Sequence, residues 1–224
     1  MIITIDGPAG AGKSTIARLL AGRLGFRFLD TGAMYRAMAL AGVRHGVAWD
    51  RPEQLAELAP RTSLALAHDR VYLDGEDVTE AIRSSAVTAV TRYAADNPQV
   101  REYLVRLQRA MAAGGDVVTE GRDQGTVAFP DAQCKIYLTA GAEERSRRRL
   151  ADLQSQGETR LIEEVLADIN RRDQQDASRP VGPLRRAPDA TEVSTDGLSV
   201  DEVVQRVQEI VEQRRGARHP SDRL

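Results

Sequence analysis

At 224 residues, with 42% hydrophobic and 29% charged residues, the chain is long enough to close a core around one α/β domain carrying an insertion or two. A net charge of −2 excludes a protein that holds nucleic acid through overall charge, though not a local basic surface. The single cysteine, Cys134 in an apolar run, excludes a disulfide framework and suits a reducing compartment, and no apolar run approaches bilayer length.

Residues 2–5 read as a short apolar strand that runs straight into a glycine-rich turn, with no signal peptide ahead of it, so a cytoplasmic location is expected. A helix follows over 14–24, with Ile16, Leu20 and Leu24 on one face and Gly25 as its stop. Residues 26–29 look like a second buried strand. Residues 62–83 break the pattern: Leu64 and Leu66 alternate, and Asp74-Gly75 offers a tight turn between two extended runs. That predicts a small antiparallel β unit inserted between helices. Further strands are expected at 117–119 and 134–138, and a weaker one at 192–194; strands separated by helices imply a parallel sheet with crossover connections. Residues 143–179 are helical and rich in arginine, interrupted at Gln156-Gly157. Ser199 and Glu202 form a capping box for a last helix, whose stripe is Val203, Val204, Val207, Ile210 and Val211. After Gln213 the periodicity stops, and a frayed tail is expected over 213–224.

Between the first strand and the first helix, Gly7-Pro8-Ala9-Gly10-Ala11-Gly12-Lys13-Ser14 fits G-x-x-x-x-G-K-[ST], in the strand–loop–helix setting that gives this motif its meaning. Glycines let backbone N–H groups turn inward around an anion, and the helix N-terminus adds its positive end. Lys13 can reach β- and γ-phosphates, and the Ser14 hydroxyl can ligate Mg²⁺. A guanine-reading switch would want N-K-x-D, but neither Asn97 nor Asn170 is followed by lysine. A motor or ATPase would want a strand ending in Asp or Asp-Glu. Here DVVTEGRDQGT ends in Glu120 and then an arginine, and Arg122 suits the grip of a second phosphate better than the activation of water. Lys13 and Lys135 are the only lysines, so every other basic residue is arginine. A coding bias explains that on its own, yet arginine is also what phosphate recognition prefers. These residues point to a kinase whose acceptor is itself anionic.

The stretches LDTGAMYRAMAL, LDGEDVTEAIR, EGRDQGTVAFPDA and RRDQQDASRPVGPL resemble the signature blocks of bacterial cytidylate kinase, within the P-loop nucleoside monophosphate kinases. With the P-loop they span residues 2 to about 211 in the family's order. The resemblance implies Mg²⁺ATP + (d)CMP ⇌ ADP + (d)CDP. It implies an α/β P-loop kinase with a central parallel sheet flanked by helices, an inserted nucleoside-monophosphate-binding domain with a small antiparallel β unit, and a helical lid. The core would take about 1–35, 110–142 and 180–212, the insert about 36–109 and the lid about 143–179.

Carried over position by position, ATP would meet Gly7, Pro8, Ala9, Gly10, Ala11, Gly12, Lys13, Ser14 and Thr15, with Arg148 and Arg149 from the lid closing over the transferring group and Ser14 holding the Mg²⁺. Thr31, Tyr35 and Arg36 would line the acceptor pocket behind a turn oriented by Asp30, with Arg36 on the acceptor phosphate. Arg101 would read the cytosine carbonyl, Arg122 would bind the acceptor phosphate, and Asp123 would accept from the cytosine amino group, a donor where uracil has an acceptor. Asp176 would meet the ribose, while Arg172 and Arg179 would join Lys13 and Arg122 as catalytic charges. Two positions depart from the pattern. Glu120 stands where the family most often has Asp, and the segment before Arg101 is one residue longer, which leaves Thr91 as the substitute for a base-reading serine.

Duller readings stand beside these. Tyr35 and Arg36 could be helix-surface residues, and Arg147 to Arg149 a solvated face balanced by Glu143 and Glu144. Asp123 could cap a helix, Asp74 is a turn residue, and Trp49 is a packing residue. His45, His68 and His219 have no ligand spacing. The alternatives in function are a P-loop kinase acting on UMP or a small phosphorylated metabolite, and a nucleotide-binding switch that transfers nothing. Expected partners are ATP and CMP or dCMP, with neither nucleic acid nor membrane. A monomer is expected, because no self-complementary apolar patch is legible.

Overall fold

The computed structural model describes residues 1–67, 69–155 and 157–216. His68, Gln156, His219 and the rest of 217–224 therefore lie outside the described residues. In chain order the elements are β1 (Ile2–Asp6), α1 (Lys13–Leu24), β2 (Arg27–Asp30), α2 (Thr31–Arg44), α3 (Pro52–Leu58), β3 (Leu64–Ala67), β4 (Arg70–Leu73), β5 (Glu76–Asp77), α4 (Ser85–Asp96), α5 (Pro98–Ala112), β6 (Val117–Gly121), β7 (Cys134–Thr139), α6 (Ala142–Ser155), α7 (Ile162–Ser178), β8 (Thr191–Ser194) and α8 (Val200–Gly216). Two compact units result: Met1–Phe28 with Gly115–Leu224, and Leu29–Gly114.

The first unit is built on a five-stranded sheet in the order β2-β6-β1-β7-β8. β1 runs parallel to both β6 and β7, with Ile5 opposite Glu120 and Ile136, and β8 joins β7 in the same direction. Strands buried on both faces read as continuous apolar runs, which is why 2–5 and 134–138 are legible without alternation. The core joins Ile3, Ile5, Val118, Ile136 and Leu138 of the sheet to Ile16 and Leu20 of α1 and to Val203, Val204, Val207 and Val211 of α8. Cys134 is buried in it. Gly25 ends α1 in the left-handed conformation, at φ 68°, as its position after Leu24 predicts. The capping box at α8 is formed: Ser199 and Glu202 exchange hydrogen bonds. That helix runs on to Gly216, three residues beyond the expected start of fraying at Gln213, and Val207, Ile210 and Val211 anchor it on the core.

In the second unit α2 packs against α4 and β4. Met34, Met38, Leu55, Leu73, Ile82 and Leu104 are its large, fully buried side chains. The expected β unit is a three-stranded antiparallel sheet, β3-β4-β5. Asp74 and Gly75, at φ 51° and 85°, make the turn between β4 and β5, a pair of left-handed positions that suits a short hairpin. Asp74 does more than turn the chain, since its Oδ1 accepts from the Ser63 amide at 2.7 Å. Trp49 stacks on Tyr93 at 5.3 Å between ring centroids and lies against Gly42, a packing role as the sequence suggests. No helix among the described residues is long and apolar enough to cross a membrane.

Candidate active site

The turn after β1 is moulded to its neighbours. Gly7 has φ 150°, and a Cβ there would sit 2.1 Å from the Leu138 carbonyl oxygen, so β7 leaves room for glycine alone. Gly10 and Gly12 take φ 78° and 84°, left-handed values that turn successive amides toward one side. Lys13, 5% exposed, folds back to donate from Nζ to the Pro8 carbonyl at 2.8 Å, spanning the loop it closes. Burial, and then repulsion from the Arg122 guanidinium, pull its amine down to about 7. Ser14, the second residue of α1, donates its hydroxyl to Glu120 Oε1 at 3.0 Å. Thr15 follows it, exposed, in the same turn.

A second charged group forms around the end of β6 and the later part of α7. Asp176, 3% exposed, receives Arg122 Nε at 2.7 Å on one oxygen and Arg179 on the other. Burial alone would raise the Asp176 carboxyl, but Arg122 and Arg179 hold it below its ordinary range. Arg172 lies on the exposed side of α7, and its charge, like that of Arg122, bears on Lys13. Thus Lys13, Arg122, Asp176 and Arg179 form one polar system in this unit. Asp123 is buried beside it at the N-cap position of the turn that follows, where its backbone carbonyl takes the amides of Thr126, Val127 and Ala128.

The arginines of α6 behave differently from one another. Arg148 is engaged by Thr195, through Oγ1 and the carbonyl oxygen at 2.8 Å each, and by Glu144 at 3.1 Å. Arg149 is exposed, and Arg147 pairs with Glu144 along the same helix. The arginine that touches the cradle is Arg145, which the sequence reading passed over. It is 5% exposed and donates to the carbonyls of Ala9 and Ala140 at 3.0 and 2.9 Å, while its charge meets Asp173 at 2.7 Å. Within that run of charge no sequence signal separates it from its neighbours, because its inward turn is set by Ala9, Ala140 and Asp173. Asp6 was missed as well. Burial drives its carboxyl up to about 7, against two backbone amides that lower it.

In the second unit, Asp30 caps α2 by accepting from the Ala33 amide at 2.8 Å, and Thr31 is buried behind it. Tyr35 and Arg36 are half-buried on α2. Arg101, 3% exposed, places its guanidinium 5.3 Å from the Tyr35 ring centre and donates to the Ala95 carbonyl at 3.0 Å. Thr91 spends its hydroxyl on the Val87 carbonyl one turn back, at 2.7 Å.

A parallel sheet whose first strand feeds a glycine cradle, a buried lysine and a helix carrying a serine defines the P-loop nucleotide-binding class. The family model described as cytidylate kinase matches residues 3–213, and the chain belongs to the cytidylate kinase family. Its relatives include the cytidylate kinase of Rhodopirellula baltica, 56% identical over 94% of this chain and 92% of that protein. The cytidylate kinase of Geobacter sulfurreducens is 48% identical over 97% and 95% of the two chains. A solved structure of an uncharacterized protein from Eubacterium ventriosum, 12% identical, superposes with a TM-score of 0.51 over 95% of this chain and 98% of that one, a likeness of fold alone.

Proposed function

We propose that this protein transfers the γ-phosphoryl group of Mg²⁺ATP to CMP and dCMP by in-line displacement. The observation that carries the reading is the pairing of a complete phosphate cradle with a separate arginine cluster, Arg122 and Arg179 around Asp176, in a chain of this family. One cradle holds a donor; a second set of guanidiniums, beyond its pairing with Asp176, suits the binding of a second anion.

The residues divide by task. Residues 7–15 cradle the donor phosphates, with Lys13 on the group in transit. Arg122, Arg172 and Arg179 spread positive charge around its equatorial oxygens, where this chemistry needs it. Arg36 and Arg122 hold the acceptor phosphate, Asp176 the ribose, and Asp123 and Arg101 the cytosine edge, with Asp30, Thr31, Tyr35 and Thr91 shaping that surface. Arg148 and Arg149 belong to the lid over ATP, which would exclude water from the transfer. A core of about 1–35, 110–142 and 180–212, an acceptor insert of about 36–109 and a lid of about 143–179 is the division this reading uses.

The donor set suits Mg²⁺. The Ser14 hydroxyl and Glu120 carboxylate, 3.0 Å apart beside the cradle, are hard oxygen donors. Among the described residues no group of three or more His, Cys, Asp or Glu could hold a metal unaided, so the nucleotide's own phosphates would complete the shell. When bound there, Mg²⁺ would neutralise charge between the β- and γ-phosphates.

ADP production with Mg²⁺ATP against CMP, dCMP, UMP, AMP, GMP and no acceptor tests the proposal. Turnover mainly with CMP and dCMP is expected. Turnover with UMP or AMP alone would overturn the base assignment, and hydrolysis independent of any acceptor would overturn transfer itself.

A further inference from the structure

Asp6 ends β1 one residue before the cradle and lies outside the G-x-x-x-x-G-K-[ST] motif. It is 3% exposed, and both oxygens are engaged by backbone. Oδ1 accepts from the Gln124 amide at 2.8 Å and Oδ2 from the Gly125 amide at 2.7 Å. Those are the two amides that directly follow Arg122 and Asp123 in the chain. They open a single π-type turn, Gln124–Ala128, of a kind found often at functional sites.

The surroundings leave that turn little freedom. Thr119 of β6 donates its hydroxyl to Gln124 Oε1 at 2.9 Å. A Cβ on Gly125 would come to 3.0 Å from Thr4 Oγ1, 3.2 Å from Lys135 Cδ and 3.4 Å from Asp6 Oδ2. Lys135 is itself held, by the Pro130 carbonyl and by Asp189 at 2.9 Å. A carboxylate buried in a sheet is costly unless its hydrogen bonds are worth keeping, and these two bonds fix a turn rather than a strand.

We propose that Asp6 is a positioning residue for the acceptor: one carboxylate, at the root of the donor cradle, fixes the two amides after Arg122-Asp123 and so sets where those two side chains stand. The inference rests on the reading that Arg122 and Asp123 meet the acceptor. It gives that reading a physical link, since donor cradle and acceptor grip share one anchor on β1.

Two variants disturb the anchor by different routes. Asp6→Asn keeps one acceptor oxygen but sets an amide against one of the two backbone N–H groups, and Gly125→Ala pushes the turn off the carboxylate without changing any charge. Steady-state kinetics with each substrate varied, the CMP-to-UMP ratio of kcat/KM, and the Kd of a fluorescent ATP analogue are measured on both. The expected result is a rise in KM for CMP of about tenfold to a hundredfold and a lower CMP-to-UMP ratio, with the ATP-analogue Kd within about twofold. A purely structural role would instead weaken both substrates together or change neither. An unchanged KM for CMP in either variant that folds overturns the inference, as does an equal loss for ATP. Arg122→Ala and Asp123→Ala separate the two levels. If they raise KM for CMP while the anchor variants do not, the anchor is wrong; if they leave it unchanged, the acceptor reading falls and the anchor with it.

Discussion

The Ser14 hydroxyl donates to Glu120 Oε1 over 3.0 Å, joining the first turn of α1 to the end of β6. Glu120 is buried at 5% exposure, so this contact is made away from bulk solvent. The pair is the oxygen-rich edge of the cradle, so its chemistry should be visible in the metal requirement. Glu120→Gln is expected to raise the Mg²⁺ concentration for half-maximal ADP production by about tenfold, and to weaken Mg²⁺-dependent binding of an ATP analogue equally. A Mg²⁺ titration of both readouts checks this.

Lys13→Ala is expected to lower kcat for every acceptor by ~10³-fold or more, because its amine spans the loop where the donor phosphates are proposed to lie. Quenched-flow or coupled assays with CMP and dCMP check it, and measurable turnover would mean the cradle serves another purpose.

The depressed amine of Lys13 gives a pH signature. With a pKa of about 7 in the free protein against an ordinary value of 10.5, the amine is mostly neutral at pH 8. Phosphates arriving beside it favour the ammonium, so ATP binding should draw a proton from solvent. Arg122, Glu120, Arg172 and Asp6 are the other charges facing the amine. Calorimetry at pH 8 in two buffers of different ionisation enthalpy should show net uptake of a sizeable fraction of a proton, largely lost in Lys13→Met.

Arg145 joins the cradle to α6 and α7. Arg145→Lys keeps the charge but cannot reach the Ala9 and Ala140 carbonyls and Asp173 together. KM for ATP should rise about tenfold with KM for CMP nearly unchanged, and Arg145→Met should also lower the thermal midpoint by ~5 °C by leaving Asp173 without its partner. Initial-rate kinetics and calorimetric melts check the two halves.

If buried Asp123 accepts from the cytosine amino group as proposed, Asp123→Ala should lower kcat/KM for CMP by ~10²-fold by leaving that group unpaired. Competition between CMP and UMP measures the loss of preference directly.

The fold was readable because its signals are local. Gly25 stops α1, Ser199 and Glu202 start α8, and the apolar runs at β1 and β7 announce buried strands. The glycine spacing at 7–14 identified the cradle for the same reason. What stayed hidden depends on contacts across the chain. Nothing adjacent in sequence tells that Asp6 holds the amides of Gln124 and Gly125, or that Arg145 rather than Arg149 turns toward Ala9. The contacts of Arg148 with Thr195 were hidden as well, since they come from β8 folding beside β7. The length of α8 was understated because the stripe was followed only to Val211, and polar residues after it continue a helix already anchored on the core.

The shortage of lysine has a practical side. Both lysines are interior, at 5% and 8% exposure, and the terminal amine of Met1 is paired with Asp116. The folded exterior therefore presents guanidiniums, which acylating reagents and amine-directed crosslinkers ignore. Burial and the Arg122 guanidinium pull the Lys13 amine down to about 7. An amine-reactive ester therefore has few targets on this chain, and the effect of added nucleotide on labelling at Lys13 would report occupancy of the cradle.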